Sequence, residues 1–160
     1  MAMPIVPGHD YAFSPHLRTV LPGAGVSRAC ALVTRRALYF VPYVSISGSG
    51  TTIMRTTVTI GGKPPGEYVA GLLQDPQTTP DSLDSAMAGH CAAITGAIAR
   101  PLERFRRIKI RTGFLGRAVR LSERAEGLWG NPLTENFGWR PAKEDLPGFI
   151  LFFQGDPRQV

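Results

Sequence analysis

Six cations lie within the fourteen residues Arg104–Arg117, RFRRIKIRTGFLGR. Their chemistry would be that of an anion grip, because guanidinium groups make paired, charge-assisted hydrogen bonds to phosphate or carboxylate oxygens. Residues 100–124 hold nine Lys or Arg against two Glu, while the whole chain has a net charge of +6. The positive potential is therefore concentrated, and a concentrated potential attracts phosphate-bearing partners where an even spread would mainly aid solubility. Arg supplies fifteen of the eighteen cations; a GC-rich genome produces the same bias, so the bias itself decides little.

Spacing says how these cations would be presented. Ile108 and Ile110 alternate with Arg107, Lys109 and Arg111, and beyond the Gly113–Gly116 turn Val119 and Leu121 alternate with Ala118, Arg120 and Ser122. That is the period of a strand pair with one buried and one wet face. The candidate anion- or partner-binding residues are Arg107, Lys109, Arg111, Arg117 and Arg120. The plainer reading is a solvated outer face whose charges discourage edge pairing. Against a membrane each such cation contributes about 1 kcal/mol, enough together for weak recruitment to phospholipid or an acidic protein. Nucleic acid is the less favoured partner, since Phe105 and Phe114 flank the cations instead of interleaving with them as stacking platforms do.

The remaining reactive residue types form no complete motif. Ser47–Thr52 (SGSGTT) and Gly61-Gly-Lys63 lack the glycines, helix or Ser/Thr of a phosphate loop and read as turns. His90 and Cys91 are neighbours on a predicted helix, about 100° apart, and cannot form a thiolate–imidazole pair. Cys30 and Cys91 have no ligand spacing, so buried reduced thiols are expected rather than a disulfide or zinc site. Trp129, Phe137 and Trp139 form an aromatic loop that either plugs the core or walls a ligand or interface. Glu123, Glu126, Glu135, Glu144 and Asp145 show no acid/base spacing. No catalytic or metal-ligating residue is assigned, no cofactor is called for, and the reading leans away from an enzyme.

The elements that must position these residues are those of one α+β domain. The length, 160 residues, suits a single core. Residues 1–27, with Pro4, Pro7, Pro15 and Pro22, read as an extended arm or loop; residues 28–160 are the domain. Strands are predicted near 28–34, 37–46 and 52–60, then at the basic hairpin and in the apolar run Phe149–Phe153, giving an antiparallel sheet of about six strands. A short helix is predicted over 66–74 and the main one over 81–99, capped by Thr79 or Asp81 with Pro80 in its first turn. One side of it is small (Ala88, Gly89, Ala92, Ala93, Gly96), which suits close approach of a loop or another subunit. Residues 123–147 read as loop. No signal peptide and no spanning apolar run is found, so the chain reads as cytoplasmic, at most peripheral to the membrane.

The segments LVTRRALYFVP (32–42) and LERFRRIKIRTGFLGRAVRLS (102–122) resemble bacterial pleckstrin-homology-like domains, in which an apolar hairpin with a Thr/Arg turn precedes an alternating strand, a Gly-Phe-Leu-Gly-Arg turn and a further strand. The resemblance implies a bent antiparallel sheet used for binding, at membranes or in oligomeric assemblies. The chain departs from that pattern in its helical segment 66–100 and in the strand expected at its end, where the family has a helix. Two other functions follow from the residues. One is a homo-oligomer subunit joined through the small-residue side of the main helix and the N-terminal arm. The other is a small-ligand enzyme with a pocket under the Trp loop.

Overall fold

The computed structural model describes residues 4–21, 25–113, 116–123 and 136–159. These form an α+β fold of strands β1 (Tyr11–Leu21), β2 (Gly25–Thr34), β3 (Ala37–Pro42), β4 (Val44–Ser49), β5 (Thr52–Thr57), β6 (Ile98–Pro101), β7 (Arg107–Arg111), β8 (Ala118–Ser122) and β9 (Asn136–Arg140), with helices α1 (Pro65–Gln74), α2 (Pro80–Ala93) and α3 (Leu146–Phe153). Seven strands make one antiparallel sheet in the order β6-β3-β2-β1-β9-β8-β7, and β4 and β5 make a separate ribbon. Among the described residues the strands number nine where about six were expected.

Chain connectivity forces the large sheet to curl. Its two edge strands, β6 and β7, are joined by only residues 102–106, a link that spans at most about 20 Å. Seven flat strands would hold their edges roughly 29 Å apart. The inner face therefore wraps Phe40, Phe105, Phe137, Trp139, Phe149, Phe152 and Phe153, all buried. Their rings meet edge to face, as in Phe40–Trp139 at 5.2 Å and Trp139–Phe149 at 5.5 Å. On the outer face, α1 and α2 cover β2 and β3 through Val69, Leu83, Met87 and Cys91 against Cys30, Leu32, Tyr39 and Val41. Buried on both faces, β2 and β3 read as continuous apolar runs, not alternating ones.

Several expectations are corrected. Within the expected arm 1–27, Tyr11–Leu21 is instead a strand: β1 sits inside the sheet between β2 and β9. Pro15 is tolerated there because it falls at a register shift between Ser14 and Leu17, where a ladder donor is not needed. The strand expected over 37–46 breaks after Pro42, and the chain turns out at Tyr43 into the β4–β5 ribbon. The main helix stops at Ala93 instead of 99, because Gly96 at φ +88° reverses the chain into β6 beside β3. Phe149–Phe153 is helical: Pro147 sits in its first turn, and Leu146, Phe149, Phe152 and Phe153 share its buried side while Ile150 and Leu151 are exposed. Within the expected loop 123–147, β9 alternates buried Phe137 and Trp139 with Gly138 and Arg140. The small side of α2 is uncovered within the chain, with Ala88, Gly89, Ala92 and Ala93 exposed.

The β2–β3 turn joins three elements. Thr34 Oγ1 accepts from the backbone N–H groups of Arg36 and Ala37 and donates to Asp84 Oδ1 at 2.7 Å. Tyr39 donates to the same oxygen at 2.6 Å. Arg35 lies 3.9 Å over the Phe152 ring and donates to the Phe152 and His9 carbonyls, a cation at the end of α3 where the helix dipole favours it. Arg36 pairs with Asp81 in the first turn of α2. At the other seam, Arg158 donates to the carbonyls of Leu102 and Phe105 and forks onto Asp156 at 3.0 and 2.7 Å. Its own carbonyl accepts from Ile108, laying the C-terminal segment beside β7.

Two outcomes follow. Asp84→Ala strands two buried hydroxyl donors and should lower unfolding free energy by about 2–5 kcal/mol, whereas Asp84→Asn keeps an acceptor oxygen and should cost less; chemical denaturation compares them. Hydrogen bonds from Arg158 hold the Asp156 carboxyl below its ordinary value of 3.8. A depressed folded-state value stabilises the fold above the unfolded pKa, and that contribution is lost as the pH falls through the folded one. Arg158→Ala should cost about 1–3 kcal/mol near neutrality and flatten the acid limb of a stability–pH profile; an unchanged limb would assign no role to this pair.

Candidate functional site

The hairpin β7–β8 presents its cations as its alternation requires. Ile108, Val119 and Leu121 are buried in the inner core, and Ile110 packs against it partly buried. Arg107, Lys109, Arg111 and Arg120 fall on the other face, with Arg111 and Arg120 exposed. The register sets Lys109 directly opposite Arg120. Gly138 is the β9 partner of Arg120, and the Arg120 side chain lies toward β9, its Nε at ordinary contact distance, 3.7 Å, from where a Cβ on Gly138 would stand.

The sheet then adds cations from far away in sequence. Arg140 of β9 pairs by Cα register with Arg18 of β1, and Arg18 with Arg28 of β2. Tyr43 continues the line by donating its N–H to the Arg28 carbonyl at 3.0 Å. By Cα register, Lys109 thus stands opposite Arg120, and Arg140, Arg18 and Arg28 align across β9, β1 and β2. Like charges directly opposite one another are unfavourable. The ion pairs among the described residues, His9–Asp10, Arg36–Asp81 and Arg158–Asp156, involve none of Lys109, Arg111, Arg117, Arg120 or Arg140.

Two adjoining grooves open along this line. One, of about 380 Å³, is lined by His16, Arg28, Tyr43, Arg117, Arg140 and Pro141 among others. The other, of about 210 Å³, is lined by Lys109, Arg111, Arg117, Arg120 and Arg140 with Gly116 and Ala118. Arg117 and Arg140 belong to both. Arg117 Nε is closed off from solvent with no hydrogen-bond partner. The His16 and Tyr43 rings stack at 5.3 Å, and the Tyr43 hydroxyl donates to the Pro15 carbonyl. Burial pushes the Tyr43 phenol up to about 12, so near neutrality it stays an uncharged donor.

Of the residues expected to bind a partner, Lys109, Arg111, Arg117 and Arg120 come together in one groove, and Arg107 shares their strand face. His16, Arg28, Tyr43 and Arg140 were not foreseen, because strand register alone brings them there. Of the aromatic loop, Phe137 and Trp139 are buried on the core side of β9, and Trp129 lies outside the described residues. Trp139 lines neither of these two grooves.

The remaining reactive groups are occupied structurally. Cys30 and Cys91 are free, buried thiols that burial pushes up to about 12, which leaves little thiolate for nucleophilic attack at neutral pH. His90 contacts the Tyr68 hydroxyl at 2.9 Å, while Cys91 turns to the Ile98 carbonyl. The SGSGTT stretch is the turn of the β4–β5 ribbon; Gly48 is required there, since a Cβ would stand 2.0 Å from the Thr52 carbonyl oxygen. Among the described residues no helix is long and apolar enough to cross a membrane. Compared with protein-family models, curated proteins and solved structures, the chain matches none of them.

Proposed function

We propose that this chain is a non-enzymatic binding module whose outer β7–β8–β9 face engages an anionic membrane surface. The observation that carries this reading is the opposition of Lys109 and Arg120, with no carboxylate among the described residues in an ion pair with either. A sheet face with that arrangement gains from a partner that supplies the missing negative charge. The adjoining β4–β5 ribbon supports a membrane over an acidic protein. It leaves the sheet directly after groove residue Tyr43 and exposes Val44, Ile46, Ile53 and Met54, the last two at 61% and 62%. Basic side chains beside exposed apolar ones match the chemistry of anionic headgroups over acyl chains. The resemblance to pleckstrin-homology-like domains points the same way, and the C-terminal helix removes one of the departures from that pattern.

Cosedimentation with mixed phosphatidylcholine–phosphatidylserine vesicles tests the proposal. Wild type should bind and be released by salt. Lys109→Glu, Arg120→Glu, Arg140→Glu together should lower affinity by roughly two orders of magnitude, at about 1 kcal/mol per cation or more for reversal, while Lys63→Glu should have little effect. A folded triple variant that binds like wild type would overturn the reading.

A second reading, a homo-oligomer subunit, rests on the exposed small side of α2 and on the ribbon, whose outer strand edges pair with no described strand. The N-terminal segment no longer contributes to it, being bound into the sheet as β1. Light scattering decides this: a strict monomer at high concentration rules the reading out.

A further inference from the structure

We infer that the smaller groove, on the outer face of β7–β8–β9, is a site for the terminal phosphate of a phosphomonoester. The inference deepens the proposed role of the basic face and rests on it, confining that role to one point. The described residues that line this groove include five cations and no carboxylate; the other two are Gly116 and Ala118. Arg111 stands opposite Ala118 by Cα register, and one residue beyond the Val119–Trp139 pair the antiparallel alignment brings Arg140 to the other side of Ala118. Arg111 and Arg140 thus flank a side chain of one methyl group at a backbone separation of about 10 Å, two strand spacings. Lys109 lies two residues before Arg111 on β7 and Arg120 two residues after Ala118 on β8, so both share this face. The floor of the groove is small and its rim is cationic.

Two guanidinium forks that approach from opposite sides can each place paired donors on one tetrahedral group. A terminal phosphate meets that arrangement best, since it brings about −1.5 to −2 charges near neutrality and three acceptor oxygens. A carboxylate offers a single charge and two oxygens, and the phosphodiester of an ordinary phospholipid likewise carries a single charge. The volume of the groove, about 210 Å³, is below the roughly 300–1,000 Å³ of sites that enclose a whole small molecule. It therefore takes an end group and leaves the remainder of the ligand outside. Among the described residues none of Lys109, Arg111, Arg120 and Arg140 is in an ion pair, so their charge is left for the ligand. A phosphomonoester on a lipid headgroup and one on a soluble molecule share this chemistry.

Cosedimentation of the full chain with phosphatidylcholine vesicles carrying either phosphatidic acid or phosphatidylserine, matched for total negative charge, tests the inference. Phosphatidic acid, whose phosphate is a terminal monoester, should be bound at least about tenfold more tightly. Arg111→Gln with Arg140→Gln should remove that preference and leave both vesicles bound at the phosphatidylserine level. Arg104→Gln with Arg106→Gln takes away the same charge outside the groove and should keep the preference. A folded Arg111→Gln, Arg140→Gln chain that still prefers phosphatidic acid would overturn the inference. Calorimetry with sodium glycerol phosphate, a soluble monoester, separates the sources. If it binds the wild-type chain but not the Arg111→Gln, Arg140→Gln variant while no vesicle is bound, the ligand is soluble, the groove stands and only the membrane reading fails. If the two vesicles are bound equally and glycerol phosphate is not bound, the membrane reading stands and the phosphomonoester site is wrong. If neither vesicle nor glycerol phosphate is bound, both readings fail.

Discussion

Burial of the β2–β3 hairpin on both of its faces is the constraint from which the rest of the architecture follows. Ala29–Val33 and Leu38–Val41 are almost wholly removed from solvent, which requires one layer of partners on each side. The inner layer is the aromatic cluster delivered by β9 and α3; the outer layer is α1 and α2. Burying large apolar side chains contributes about 1.5–3 kcal/mol each, so neither layer can be removed without exposing the hairpin. The polar turn at its end then fixes both layers at once, through Thr34 to Asp84 and through Arg35 to the end of α3.

The same constraint explains why the basic face exists where it does. The two long helices are committed to β1, β2, β3 and β6, while the curl set by the short β6–β7 link turns β7, β8 and β9 away from them. The outer surfaces of β7, β8 and β9 are left to carry polar side chains. Solubility alone would accept a mixture of charges there, and mixed charges would also relieve cross-strand repulsion. Instead the described face holds Lys109, Arg111, Arg117, Arg120 and Arg140, while Asp84 and Asp81 are engaged on α2 and Asp156 on the C-terminal seam.

How much of this was legible in the sequence depended on whether the deciding interaction was local. The β7–β8 hairpin was readable because its period-2 pattern spans one buried and one wet face, and α1 and α2 because Pro65, Thr79 and Pro80 mark their starts. Where burial was two-sided or the signal was interrupted, the reading failed. The run Phe149–Phe153 is apolar at every position, so periodicity could not separate strand from helix; Pro147 before it and Gly155 after it were the better guides. In β1, Pro15 masked a strand because a proline at a bulge looks the same in sequence as a proline in a loop. In β9, Gly138 hid the alternation of Phe137 with Trp139.

The candidate site divides in the same way. Lys109, Arg111, Arg117 and Arg120 are neighbours along the chain, and their clustering is visible as charge density. Arg28 and Arg140 are more than a hundred residues apart and enter the site only through the order β2-β1-β9, with β1 inserted between them as an element the sequence had read as an arm. A one-residue slip of β9 would exchange the positions of Trp139 and Arg140, placing an indole on the wet face and a guanidinium in the aromatic core. The register that completes the basic face is therefore enforced by the burial of Trp139 against Phe40 and Phe149. Core packing and the disposition of surface charge are thus two consequences of one strand alignment, so the grooves are positioned as firmly as the core beneath them.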